Sequence, residues 1–323
     1  RHGGTVTVAA GLVTLAVPCR TDEPVLTRTL TATVASWRRA TPAMTHRLEV
    51  LVCLNGAAVP ARRTELRALA GALSAPLAEV DLDAPGAAPA GPAAAPVSLV
   101  ALVTRRAGKP IAWNHLRTRA RGARTVFVDA DVSFTPDAVG LLLDALAAAP
   151  AAVLASGKTT CAQRPGAFER VMAAPYGVDF PNLSPQLYGA RVAALPPAMP
   201  EDLIEPERWL ELTVGRERIV HVPAARVAVR PPGTLADFFR QRIRIEMGKV
   251  QLACEYPGLV TRGAPQPGAA AALASLGVRG AGRLTVYLGL RSIAHAIAWW
   301  RYRGGRTAGV WRQATSTKHW DPA

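Results

Sequence analysis

Acidic residues are scarce in this chain: 23 Asp and Glu stand against 38 Lys and Arg in 323 residues, a formal charge of +15. Cysteine is scarcer still. Cys19, Cys53, Cys161 and Cys254 lie far apart with no CxxC pair, which excludes a zinc ribbon and a thioredoxin-type site. Scattered single thiols fit a reducing compartment. The six histidines show no HExxH and no paired spacing, so a histidine metal site is not expected. No run of 18 uncharged apolar residues occurs, which disfavours a conventional membrane span, and no signal peptide is recognisable. The formal glycosylation sequon Asn182-Leu183-Ser184 therefore lacks the secretory context it needs. The positive charge is mostly Arg within an Ala-, Pro-, Gly- and Arg-rich composition. With no RRM, helix-turn-helix or zinc-finger pattern, no nucleic-acid partner is expected.

What remains is a folding sequence, 50% hydrophobic and 19% charged, long enough for one large domain or two units. Apolar β-branched runs at 6–17, 47–54, 78–82, 125–128 and 152–155 read as strands, and 97–103 as a strand or a loop. Helical spacing occupies 26–37, 62–73, 110–121 and 136–148, and Ala84–Pro96 reads as a flexible surface loop. This alternation predicts an α/β fold with a mostly parallel sheet and helices on both faces. Ligands of such sheets gather at the carboxyl ends of the strands, here just after Val17, Leu54, Leu82 and Val128. Beyond that, 168–200 reads as irregular, 206–212 as a helix, 219–229 as strand, 235–252 as a basic helix and 283–303 as a long apolar helix.

Four places carry chemistry. Val126-Phe127-Val128 runs into Asp129-Ala130-Asp131, and residues two apart in extended chain point the same way. Two carboxylates aimed at one point repel unless a cation lies between them, so Mg²⁺ or Mn²⁺ shared with a diphosphate is expected there. Glu201-Asp202 precedes a helix and would serve either as an N-terminal cap or as a general base. Gln241 and Arg244 share a helix face, and an Arg there can clamp phosphate. Gly108-Lys109-Pro110 sets a lysine beside a helix start, where anions bind. A rival stretch, Ala152 to Thr159, fits a relaxed phosphate-loop pattern, but Val153–Ala155 fills the turn and Pro165 would cut the following helix.

Taken in order, these motifs resemble the family 2 glycosyltransferases of GT-A fold over roughly residues 12–250. Pro18-Cys19-Arg20-Thr21-Asp22-Glu23 resembles the family's opening turn, with Glu23 as the nucleotide-contacting acid. Where the family has an Asp on the base or ribose, this sequence departs from the pattern and offers Cys53 or Asn55. Gly108-Lys109 with Asn114 resembles its GK-x-x-A-x-N helix, Asp129 and Asp131 its metal- and diphosphate-binding DxD, and Glu201-Asp202 its acceptor-side pair, with Asp202 as base. Gln241-Arg242-Ile243-Arg244-Ile245 resembles QxxRW with Ile in place of Trp, which weakens any inference of polymer synthesis. The resemblance implies an inverting transfer of sugar from a nucleotide-diphosphate sugar, a UDP-sugar in the first instance, to a hydroxyl of a sugar, a lipid-linked molecule or a small molecule. Donor contacts would come from Pro18, Arg20, Glu23, Asn55, Lys109, Asn114, Asp129, Asp131, Gln241 and Arg244. The acceptor would meet Tyr176, Asp179, Asn182 and Tyr188, aromatic and polar groups suited to sugar or lipid phosphate. The alternatives are a nucleotide-sugar-binding protein without turnover, or a nucleotidyltransferase on a similar fold.

The expected organisation is a catalytic domain over 1–235, with a donor half to about 155 and an acceptor half from 156, followed by a basic helical region over 236–323. From Arg279 onward eight basic residues face a single acid, Asp321. Together with Trp299-Trp300-Arg301-Tyr302-Arg303 this predicts an interfacial helix on an anionic membrane, Arg291 turned toward headgroups, and hence a peripheral position on the inner face of the cell membrane. The competing reading is a docking helix that completes the enzyme, in which Arg291 must find a partner.

Overall fold

The computed structural model describes residues 9–20, 23–40, 47–56, 60–84, 95–162, 166–178, 182–262 and 276–305. Thr21, Asp22, Asp179, most of the 84–96 loop and everything after 305 lie outside the described residues. The chain divides into two compact units, each discontinuous in sequence. The first comprises 1–158, 183–202 and 217–227, and the second 159–182, 203–216 and 228–323.

The strands are β1 (Ala9–Arg20), β2 (Arg47–Asn55), β3 (Leu77–Asp81), β4 (Val97–Thr104), β5 (Gly122–Val128), β6 (Ser133–Phe134), β7 (Leu154–Cys161), β8 (Leu187–Arg191) and β9 (Ile219–Val229). They form one nine-stranded sheet in the order β3-β4-β2-β1-β5-β8-β7-β9-β6. From β3 to β5 the pairing is parallel, and β8 lies antiparallel to both β5 and β7. The first unit's helices are α1 (Leu26–Ala40), α2 (Pro60–Ala72), α3 (Lys109–Arg119) and α4 (Ala138–Ala148).

Strand alternation sorts the two faces. Val13, Leu15 and Val17 of β1, with Val126 and Val128 of β5, join the cluster that buries Leu30, Leu66 and Leu142 of α1, α2 and α4. Phe127, between two members of that cluster, points the other way and stacks on Trp113 of α3 with ring centroids 5.8 Å apart. So α3 covers the opposite face, over β1 and β2. The same parity carries Asn55 and Asp129, each two residues on from an α3-facing position, toward the start of α3.

Several elements differ from expectation, for physical reasons. β1 continues through Pro18 to Arg20. Its ladder to β5 ends at Ala16, so the proline stands where one side of the strand has no partner to lose. β4, which reads equally as a loop, is a buried inner strand paired on both sides. β8 falls inside the stretch that reads as irregular. It is five residues long, too short to show a period, and is ordered by the neighbours between which it inserts. The phosphate-loop look-alike is strand: Gly157 and Lys158 lie within β7. A Cβ on Gly157 would stand 2.6 Å from the carbonyl oxygen of Ala225, so the glycine allows close backbone approach to β9.

The second unit contains α5 (Ala167–Ala173), α6 (Pro206–Val214), α7 (Leu235–Glu255), α8 (Pro257–Arg262) and α9 (Val278–Arg303). Thr234 caps α7, its Oγ1 accepting from the amide of Asp237 at 3.1 Å. Ile243 and Met247 of α7 pack against Ala294 and Ala298 of α9. Beside them the buried Glu246 carboxylate accepts from Arg242 (2.6 Å) and Lys249 (2.9 Å) of its own helix and from Arg291 (3.0 Å) of α9, with His295 Nδ1 at 3.2 Å. This corrects the expectation that Arg291 faces headgroups: its guanidinium turns inward and docks α9 on α7. No helix among the described residues is long and apolar enough to cross a membrane.

Candidate functional site

The carboxyl ends of β1, β2, β4 and β5 bring together most of the residues singled out in the first unit. Glu23 is buried at the start of α1. Its Oε1 accepts from the amide of Val25 at 3.4 Å, and its carbonyl oxygen accepts from Arg62 at 2.7 Å. Pro18 is half-buried and Arg20 exposed at the strand end. Between them the Cys19 thiol is sealed in, its pKa pushed far up by burial and by the nearby Glu23, with Asp131 adding to the effect. Because β1 and β5 are parallel neighbours in the sheet, the end of the first strand lies on the same edge as the segment that carries Asp129 and Asp131.

Asn55 is buried at the end of β2 and donates from Nδ2 to the carbonyl oxygen of Gly108 at 2.7 Å. Its Oδ1 is buried without a hydrogen-bond partner among the described residues. Gly108 has φ +143°, a conformation other residues rarely adopt, and it turns the chain into α3 with Pro110 in the first turn. Lys109, at that helix start, places Nζ 2.6 Å from Asp129 Oδ1 and donates to the carbonyl oxygen of Pro185 at 3.1 Å. Asp129 is held in turn by its own amide, which donates to Gln186 at 2.9 Å as β5 meets β8.

The acid pair lies on a segment tied to the same helix. The side-chain amide of Asn114 donates to the carbonyl oxygen of Met199 at 2.9 Å and accepts from the amide of Met199 at 2.9 Å. Arg106 pairs with the carboxylate of Glu201, and both Glu201 and Asp202 are exposed. His115, half-buried nearby, has its pKa lowered by burial and by Arg119 and Arg106. Neither contact to the 199–201 segment is legible in the sequence, because nothing in the residue pattern links α3 to a stretch some 85 residues on.

The other expected residues are placed elsewhere. Tyr188, expected at the acceptor, is a core residue of the first unit. It stacks on Phe127 at 5.0 Å, is 3% exposed, and its hydroxyl accepts from Trp113 Nε1 at 3.0 Å. Gln241, Arg244, Tyr176 and Asn182 belong to the second unit. Gln241 and Arg244 are half-buried on one turn of α7. Asn182 accepts from Arg216 at 3.1 Å, and the Tyr176 hydroxyl is pushed well above its usual pKa by burial and by Tyr287. Asp179 lies outside the described residues.

Among the described residues no three His, Cys, Asp or Glu side chains converge on one point.

A mostly parallel nine-stranded sheet flanked by helices matches the GT-A-type fold of solved glycosyltransferases. The likeness is to a mannosyltransferase, PcManGT from Pyrobaculum calidifontis, solved in complex with GDP-Man and Mn²⁺. It is 18% identical, covers 92% of this chain and 75% of that one, and has a TM-score of 0.52. TarS from S. aureus matches at 13% identity, 75% of this chain, 39% of that chain and a TM-score of 0.47. Glucosyl-3-phosphoglycerate synthase from Mycobacterium tuberculosis matches at 14%, 76%, 80% and 0.44. No family profile matches the sequence, and no curated protein does.

Proposed function

We propose that this protein is a metal-dependent, inverting glycosyltransferase of the family 2 type, which moves a sugar from a UDP-sugar to a hydroxyl acceptor. The observation that carries the reading is the Asp129–Lys109 pair at the carboxyl end of β5, with Asp131 in the turn that follows rather than on the extended strand. Asp129 and Asp131 would hold Mn²⁺ or Mg²⁺, and when bound the ion supplies neutralisation of the leaving diphosphate. Lys109 carries a second positive charge to that place, where it would meet a phosphate oxygen of the donor. Arg20, Glu23 and Asn55 line the nucleotide side, and Asn55 Oδ1 is an acceptor in search of a donor.

Asp202 takes the proton of the acceptor hydroxyl. The acceptor oxygen bonds to the anomeric carbon from the face opposite the diphosphate, and the bond from that carbon to the diphosphate breaks with its electron pair leaving on phosphate oxygen. Glu201 keeps its charge paired with Arg106. Gln241 and Arg244 stay the donor-side candidates of the second unit, and Tyr176, Asp179 and Asn182 its acceptor-side candidates; the acceptor is a sugar, a lipid-linked or a small molecule. The functional division is a donor half to about residue 155, an acceptor half to 235 and a basic helical region beyond.

We assign the exposed side of α9 to an anionic membrane surface on the cytoplasmic side. That side shows Val286, Ile293, Trp299 and Trp300, with Arg301 and Arg303 in the last turn.

Asp131→Asn tests the reading. The variant is expected to lose most Mn²⁺-dependent UDP binding by calorimetry while keeping the wild-type melting temperature. Unchanged UDP affinity with Mn²⁺ present refutes the metal site.

A further inference from the structure

Asn114 reads from sequence as a donor-binding residue, yet its side-chain amide is used in another way. Nδ2 and Oδ1 hold the carbonyl oxygen and the amide of one residue, Met199, each at 2.9 Å. A carboxamide that meets both polar groups of a single residue copies the paired exchange of a β-ladder, and it fixes that residue's peptide planes on either side. Met199 is itself 3% exposed, so the clamp sits on a buried anchor. Upstream on the same segment, Arg117 donates to the carbonyl oxygen of Leu195 at 3.4 Å. Two residues beyond Met199, Arg106 from the loop before α3 pairs with Glu201. Three attachments thus tie 195–201 to α3 and its leading loop, and Asp202 is the next residue. Pro200, between the clamp and the pair, has its φ fixed by its ring.

We infer that Asn114 is a positioning residue for Asp202, with Arg106 as the second attachment, and is not a ligand of the nucleotide sugar. The inference rests on Asp202 being the base. A general base must lie within hydrogen-bond reach of the hydroxyl it deprotonates, and an exposed carboxylate on an unanchored loop spends little time there. Displacement by about 1 Å costs on the order of 10²-fold in rate. The same helix that starts at Lys109, beside Asp129, therefore sets the spacing between the donor end of the site and the acid loop. It does so through backbone groups of Met199, so the identity of residue 199 matters less than the carboxamide at 114.

The test uses the full chain and combines three readouts. In Asn114→Ala, amide exchange over 196–203 is expected to quicken by about tenfold or more, as local opening becomes easier. UDP affinity with Mn²⁺ stays within about threefold of wild type, and the kcat of Mn²⁺-dependent UDP-glucose hydrolysis falls about tenfold or more with the donor KM unchanged. Arg106→Gln, an exposed position that leaves the core alone, moves the same readouts in the same direction. In the Asn114→Ala/Asp202→Asn double variant the rate is no lower than in Asp202→Asn, because the two act through one group. A tenfold loss of UDP affinity with unchanged exchange over 196–203 would make Asn114 a donor ligand and overturn the inference. Multiplicative losses in the double variant would overturn it equally. If Asp202→Asn turns over like wild type, the base assignment fails instead, and the exchange and UDP readouts still decide whether Asn114 clamps the loop.

Discussion

Glu49 shows how a single charged residue is tolerated in the middle of the sheet. It is 1% exposed on β2, where it accepts from Thr14 Oγ1 at 2.8 Å, from Arg121 Nε at 2.6 Å and from the amide of Arg121 at 3.2 Å. Thr14 Oγ1 in turn accepts from the amide of Gly122 at 2.9 Å, so β1, β2 and the start of β5 are tied by one polar chain. Glu49→Ala would strand the Thr14 hydroxyl and the Arg121 guanidinium. We expect a loss of about 1–3 kcal/mol in urea unfolding, with the slope unchanged. Gly122→Ala is expected to cost a similar amount, since its Cβ would lie 2.6 Å from the amide nitrogen of Thr14. At this scale the sequence is a good guide to residue types and a poor one to partners. The carboxylates 129, 131, 201 and 202 stand out by spacing, and side-chain parity explains why Asp129 meets Lys109. Tyr188 misleads because a tyrosine among prolines and asparagines looks solvent-facing, whereas here it completes a Trp113–Phe127–Tyr188 stack. Glu49 itself shows no pattern, because its partners come from two other elements.

Among the elements, α7 and α9 carry the electrostatics of the second unit. Burial works against the charge on Glu246, but Lys249, Arg242 and Arg291 outweigh it and bring its pKa down to about 2 from an ordinary 4.5. A carboxylate with a depressed folded pKa contributes stability that is complete above its unfolded value and is lost as pH falls through the folded one. Melting of the second unit is therefore expected to weaken from about pH 4.5 toward 2, and Glu246→Gln should flatten that dependence in a calorimetric pH series. A neighbour behaves in the opposite way. Glu205, whose Cγ would lie 2.2 Å from a Cβ on Gly248, is raised by burial to about 7. A raised carboxyl costs stability as pH climbs from about 4.5 to 7, so Glu205→Gln should remove a decline in that window. Helices of this length are legible because their apolar period persists for several turns. The hidden elements were the short ones: β6 is two residues and β8 five, and each is defined by its neighbours in the sheet.

For the whole molecule, the excess of positive charge and the uncovered apolar residues of α9 belong to one prediction. The 323-residue chain should float with vesicles containing phosphatidylglycerol at low salt and release as salt rises, since exposed charges are screened beyond about 10 Å at 0.1 M. Trp299→Ala/Trp300→Ala should abolish flotation without altering UDP binding, and failure of the wild type to float at low salt refutes the membrane assignment. The buried thiols lead to a different kind of experiment. Cys19 and Cys53 are sealed within the first unit, Cys53 pushed up to about 12 chiefly by burial, whereas Cys254 on α7 is exposed. At neutral pH a disulfide reagent such as DTNB should modify Cys254 at once and reach Cys19 and Cys53 only when the sheet opens. The chain thus carries an intrinsic clock for opening of its first unit, read from the slow phase of a colour change without any added label.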